Sequence, residues 1–258
     1  MRLLSYSAAL SEDVEGLDGL KAVRKVPAAK AEQTRSPASA YAIAAVEALD
    51  LGDDEPALYC VSGPTGSSLH HFDRACDPAK GESLHDTDFA RRRARKIHPF
   101  TLLLGIQNQV AAHLSLHFGW NGPCCNGIES SAAFVDLIPS MELALRKRPA
   151  LVVMSSAAGR CEDRSWCQYR APGKRILEGA VALLFAPRGN LGEVTLGPRR
   201  GALKIGRGAN TSPFEKWPVA PCMEAGLAVL WALAQAVDRA CFEIAGASRS
   251  AYFEWTHA

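Results

Sequence analysis

The chain has 258 residues, 48% of them hydrophobic and 22% charged, with a formal net charge of +2. Such a composition supports a globular protein with a substantial core, and the near-balanced charge argues against bulk binding of nucleic acid or of an anionic membrane surface. The longest apolar run, residues 225–237, contains Gln235 and falls short of the roughly 20 residues a membrane span needs. The opening MRLLSYSAALSEDVEG has one basic residue and early acidic ones, unlike a secretory leader, so the cytoplasm is the expected compartment.

In chain order, RSPASAYAIAAVEALDLG (35–52) predicts a helix, with Ser36 as N-cap ahead of Pro37 and Gly52 beyond its end. PALYCVSG (56–63) predicts a short apolar strand that runs into a Gly-Pro-Thr-Gly turn. Residues 67–96 are polar and irregular, and end in RRRARK. Helical apolar spacing returns over 99–116, with Leu103, Ile106, Val110 and Leu114 near one face. Residues 119–127 read as loop. Residues 131–146 read as a helix whose inward stripe is Phe134, Leu137, Ile138, Met141 and Leu145.

ALVVMSSA (150–157) predicts a strand buried on both faces. LEGAVALLFAP and LGEVTLG, on either side of Arg188-Gly189-Asn190, read as a hairpin, and a long helix is expected over about 220–245. Helix–strand alternation of this kind predicts an α/β fold, a mixed sheet layered between helices.

Eight cysteines stand at 60, 76, 124, 125, 161, 167, 222 and 241 with no CxxC among them, so most are expected to be small buried hydrophobes. His113 and His117 have the i, i+4 spacing of a shared metal, but no third ligand accompanies them and packing is the favoured role. No metal and no cofactor is expected.

GWNGPCCNGIESSAAF (119–134) has the form of a turn leading to a nucleophile at a helix N-terminus, yet Cys124 and Cys125 follow Gly122-Pro123 at once, well ahead of the helix. Together with its neighbours this stretch resembles the β-ketoacyl-acyl carrier protein synthase family. KIHPFTLLLGIQNQVAAHLSLHFGWNGP is similar, without a gap, to the segment before that family's nucleophile. It shares Pro99-Phe100, Ile106, Asn108, Val110-Ala111-x-His113-Leu114 and Gly119-x-x-Gly122-Pro123. SPASAYAIAAVEAL, YCVSGPTG, RPALVVMSSA and LEGAVALLFAP agree in order, so the resemblance covers roughly residues 35–200.

That resemblance implies a thiolase-like fold, here its N-terminal half as a single unit over 1–258 with a tail after 200. It puts the nucleophile at Ser131 and makes Glu178 structural. Condensation by the family needs a thiolate and two imidazoles from the second half, whereas six of the seven histidines here precede Ser131 and the other is His257. The implied role is therefore a chain length factor of type II polyketide or aryl polyene systems. Such a subunit is a non-catalytic partner of a full-length synthase and of its acyl carrier protein.

The same resemblance implies an acyl-tunnel and interface set of Phe100, Leu103, Leu104, Ile106, Asn108 and Phe134. Arg91, Arg92, Arg93, Arg95 and Lys96 would dock the acidic carrier protein. The apolar face of residues 99–134 is expected to need a partner. Two other readings stand beside this one, a stand-alone acyltransferase or thioesterase using Ser131 or Cys125, and a homodimeric acyl-binding module. The G-x-S-x-G elbow of hydrolases is incomplete at Ser131.

Overall fold

The computed structural model describes residues 1–27, 35–52, 54–63, 108–128, 132–157, 174–197, 201–205, 214–245 and 250–258. The strands are β1 (Arg2–Leu10), β2 (Val23–Lys25), β3 (Ala57–Ser62), β4 (Cys124–Ile128), β5 (Ala150–Ser156), β6 (Gly179–Phe185), β7 (Gly192–Leu196), β8 (Leu203–Ile205), β9 (Arg239–Ala245) and β10 (Ser250–His257). The helices are α1 (Pro37–Glu47), α2 (Gln109–Phe118), α3 (Ala132–Ala144) and α4 (Glu224–Ala234). No described helix is long and apolar enough to cross a membrane.

Everything hangs on one mixed sheet in the order β4-β3-β5-β6-β1-β7-β10-β9-β8, with β2 beside the end of β1. Parallel pairing joins β3 to β4 and to β5, while β6 runs antiparallel to β5 and to β1. The first half matches the expected α/β architecture. Ser36 caps α1 by accepting the Ser39 amide at 3.3 Å, and Pro37 occupies the first turn, where its missing N–H costs nothing. Strands β3, β5 and β6 are buried along their whole length. α1 and α2 cover one face of them and α3 the other.

Three expectations are corrected. Residues 124–128 are not loop but edge strand β4. β6 and β7 do not form a hairpin, because β1 lies between them and takes both as antiparallel neighbours. The long helix over 220–245 is instead α4 followed by strand β9. Ala236 takes a left-handed φ of 47° just past α4, and the apolar alternation after it belongs to a strand, not to another helical turn.

From β7 onward the chain repeats the first half in contracted form. β1, β3, β5 and β6 correspond to β7, β8, β9 and β10, with matching order and matching pair orientation. β1 and β7 meet antiparallel at the seam, as a two-fold relation between the halves requires. α3 and α4 are then counterparts, each leading into the penultimate strand of its half. Both lie on the same face of the sheet and reach across the seam, α3 to β7 and β10, α4 to β6. Among the described residues nothing in the second half corresponds to α1, α2 or β4. Register explains how β7 and β8 connect without a helix. Leu196 and Leu203 both align with the Phe253–Phe242 pair, so the chain leaves β7 at the level where β8 begins.

Among the described residues the second half has two layers where the first half has three. Ala251, Phe253 and Trp255 point to α3 and α4, while Glu193, Thr195, Glu254 and Arg239 form a polar outer face. The inner side is an aromatic cluster in which Phe253 meets Phe134 edge-on at 5.6 Å and Phe242 at 5.1 Å. Of the apolar residues of 99–134 that were expected to lack a mate, several have one within the chain, whereas Leu116 is exposed and 99–107 lie outside the described residues. Val110, Ala111 and Leu114 are buried with α1 and β3, and Ala132 and Phe134 with the second half.

This layering predicts unequal tolerance of charge. Thr195→Lys should shift stability by no more than about 0.5 kcal/mol. Ala182→Lys, on the helix-covered face of β6, should cost several kcal/mol or prevent folding. Urea midpoints at constant m-value measure both.

Candidate functional site

Most of the residues singled out from the sequence lie outside the described residues: Arg91, Arg92, Arg93, Arg95, Lys96, Phe100, Leu103, Leu104, Ile106 and Ser131. Ser131 directly precedes Ala132, the first residue of α3. Asn108 stands at the N-cap of α2, solvent-exposed and making no side-chain cap. Phe134 is fully buried, one turn into α3. The two lie in opposite layers, since α2 packs on one face of the sheet and α3 on the other.

Cys124 and Cys125 are exposed on the edge strand, in register with Leu58 and Tyr59. Burial, then the neighbouring Cys125, pushes the Cys124 thiol up. Cys60, buried on β3, is held well above the usual thiol range by desolvation, then by Cys124 and Cys125. A raised thiol stays protonated at neutral pH and is a poor nucleophile, which counts against Cys124 and Cys60 as acyl acceptors.

His117 is engaged by Glu47 at 2.9 Å, which ties α2 to α1, and no group of potential metal ligands occurs among the described residues. Glu178 exchanges contacts with Ser11: its amide donates to Ser11 Oγ at 3.1 Å, and its carbonyl accepts from the Ser11 amide at 2.9 Å. A Cβ at Gly179 would run into the Ala9 carbonyl. The Glu-Gly-Ala motif thus seats β6 against β1, a structural role.

The chemistry-bearing groups that the fold brings together stand at the C-terminal edge of β3 and β5. Side chains alternate along a strand, so Ser156 and Gly63 share the face that carries Val61, Met154, α3 and α4. A Cβ on Gly63 would lie 2.9 Å from Ser156 Cβ and 3.2 Å from both Cys222 Sγ and the Pro221 carbonyl oxygen. Glycine is required here because Ser156, Cys222 and the Pro221 carbonyl already close on it. Ser156 Oγ is fully buried and has no hydrogen-bond partner among the described residues.

Cys222 is 1% exposed, has a left-handed φ of 66°, and sits immediately before Met223, the uncapped N-cap of α4. Left-handed backbone at a non-glycine residue costs about 1–2 kcal/mol and persists where surrounding packing enforces it. Gly226 supplies that packing, for its missing side chain lets α4 settle on Val181 and Met154. Cys222 stands two residues ahead of α4, with Met223 directly ahead of the helix. Sequence reading missed it because one helix drawn over 220–245 hides the boundary; the signal was Pro218 and Pro221, which bar a helix from starting earlier.

At the opposite edge of the sheet a cleft of about 650 Å³ is bordered by Arg146, Lys147, Arg148 and Arg188, with Asp50 and Asp54 across from them. Its lining includes Pro149 and Ala186, at the other ends of the strands, so it is remote from Cys222.

No family model and no curated protein matches the sequence. Solved structures do match. The ishigamide ketosynthase/chain length factor aligns with a TM-score of 0.62 at 11% identity, over 99% of this chain and 98% of that one. The ketosynthase ApeO in complex with its chain length factor ApeC, from Xenorhabdus doucetiae, gives 0.57 at 11% over all of both chains. AntDE:AntF, a type II PKS acyl-carrier protein in complex with its ketosynthase bound to the hexaketide, gives 0.60 at 10% over all of both chains. The fold is the thiolase-like fold of ketosynthases and chain length factors.

The thiol environments generate a prediction. Alkylation of Cys124 by iodoacetamide, read by peptide mass, should rise with pH along a curve displaced above that of a free cysteine peptide, and Cys60 should stay unmodified in the folded chain.

Proposed function

We propose that this chain is a non-catalytic subunit of the chain-length-factor type. It pairs with an active β-ketoacyl-acyl carrier protein synthase and shapes the tunnel in which an acyl or polyene chain grows. The observation that carries this reading is the combination of a ketosynthase and chain-length-factor fold with serine at the position directly ahead of α3. A serine hydroxyl without an adjacent base stays protonated, and the sequence has no histidine between His117 and His257 to assist decarboxylation.

Pairing has a surface to use. Among the described residues β4 pairs with β3 alone, so its outer backbone edge is open, and open edges template further pairing. Leu116 of α2, 80% exposed, lies on the same flank. In this reading residues 100–108, ahead of α2, reach into the synthase tunnel with Ile106 foremost, joined by Leu103, Leu104 and Asn108. Phe134 stays in the acyl-tunnel set from the α3 layer, on the face of the sheet opposite α2. Arg91, Arg92, Arg93, Arg95 and Lys96 steer the acidic carrier protein. A cytoplasmic polyketide or aryl polyene-type system fits this assignment.

Co-expression with a full-length ketosynthase from the same organism tests it. A 1:1 complex should elute in size-exclusion chromatography, and condensation with malonyl-carrier protein should need the complex. Ile106→Trp should shorten the product by at least one extension unit while the complex survives. Turnover of acyl-carrier thioesters by the isolated chain would favour the stand-alone acyltransferase or thioesterase. Product length indifferent to the chain's presence would also count against the proposal.

A further inference from the structure

We propose that the cleft between the ends of α1 and α3 and the turn after β6 binds a nucleoside diphosphate, a property separate from pairing with a synthase. Four cationic side chains, Arg146, Lys147, Arg148 and Arg188, line it together with two carboxylates, Asp50 and Asp54. Its volume of about 650 Å³ falls within the roughly 300–1,000 Å³ usual for small-molecule sites, and it opens to solvent, so a ligand has both room and a route in.

Arg146, Lys147 and Arg148 follow α3, where positive charge offsets the carbonyl end of a helix. That account does not reach Arg188, which stands in the turn between β6 and β7 and lines the same opening. Like charges gathered on one cleft repel unless an anion sits among them. Yet among the described residues none of the four cations forms an ion pair, although Asp50 and Asp54 border the same space. Asp50 is engaged elsewhere, its Oδ1 accepting the Gly52 amide at 3.3 Å. Arg148 also reaches toward Glu55, since both lie against Gly122, so Arg146, Lys147 and Arg188 carry the uncompensated charge.

The backbone holds these cations in place before any ligand arrives. The Ala186 amide donates to the Arg2 carbonyl at 3.0 Å, and the Gly189 amide to the Ala186 carbonyl at 3.1 Å. A Cβ on Gly189 would lie 2.6 Å from the carbonyl oxygens of Arg2 and Leu3, so glycine lets the turn that carries Arg188 lie on β1. On the other wall the amides of Lys147 and Arg148 both donate to the Ala144 carbonyl, at 2.9 and 3.1 Å, and the Pro149 carbonyl accepts the Ala57 amide at 2.8 Å. A rim fixed in this way spends little ordering entropy on binding.

The lining selects the ligand. Guanidinium forks take phosphate oxygens in pairs and a lysine adds a point charge, so a pyrophosphate group matches Arg146, Lys147 and Arg188. Leu51, Leu145, Pro149 and Pro187 supply apolar surface for a flat base. The carboxylates of Asp50 and Asp54 repel a bare polyphosphate but accept hydrogen bonds from sugar hydroxyls. An anion that carries hydroxyl donors and a planar ring at its other end satisfies all three parts.

Isothermal titration of the full chain with ADP at low salt, without added metal ions, tests the assignment. Saturable one-to-one binding in the micromolar range is expected, weakened at least tenfold by Lys147→Glu and by Arg188→Glu. Both positions are exposed, so both variants should melt at the parent temperature, and Lys21→Glu, an exposed charge elsewhere, should bind as the parent does. Asp54→Ala should weaken ADP at least threefold while leaving inorganic pyrophosphate as tight or tighter, which separates recognition of the sugar from attraction to the cations. No binding at millimolar ADP, or binding that neither Lys147→Glu nor Arg188→Glu weakens, overturns the site. Pyrophosphate binding as tightly as ADP overturns the nucleoside assignment. Synthase pairing is read by size exclusion and does not depend on any of these results.

Discussion

Helix α4 rests on the sheet at a point where only a hydrogen atom fits. A side chain at Gly226 would collide with Val181 and approach Met154, so the helix axis is set by contact with β5 and β6. From that seat the helix start falls at the ends of β3 and β5, and the backbone at Cys222 must turn left-handed to enter it. The close packing around Gly63 and the burial of Ser156 follow. A change that lifted α4 would dissolve the candidate site without touching any of its polar atoms.

The same helix holds the halves together. β1 and β7 share a short ladder, Arg2 with Glu193 and Leu3 with Gly192, too little to fix two sheets rigidly. Stability at the seam comes from the layer above, where α3 reaches β10 and α4 reaches β6. The aromatic pairs of Phe134, Phe253 and Phe242 add about 0.5–1.5 kcal/mol each beyond area burial. Among the described residues the second half has no outer helix layer, and its outward positions Glu193, Thr195 and Glu254 are polar.

Much of the first half was legible in the sequence because its signals are local. Ser36-Pro37 marks a helix start, the apolar runs 57–61 and 150–154 mark strands buried on both faces, and the Phe134–Met141 stripe marks the inner face of α3. The second half was not legible because its elements are short and its order is long-range. β1 inserting between β6 and β7 is invisible to any window, and a turn at Ala236 without glycine let two elements read as one helix. Of the candidate site, the serine ahead of α3 could be counted from Gly122-Pro123. Cys222 could not, since its contact with Gly63 and its place beside Ser156 appear only once the sheet is assembled.

A chain-length-factor role requires this fold to pair with a synthase, and the edge of β4 that is open among the described residues is the proposed place. Amide hydrogen exchange over Cys124–Ile128, with and without an added ketosynthase, tests it most directly. A paired edge predicts at least tenfold slower exchange of the outward amides of β4 in the complex, with β8 at the far end of the sheet unchanged. Equal exchange in both samples, under conditions where the synthase is folded and in excess, would contradict it.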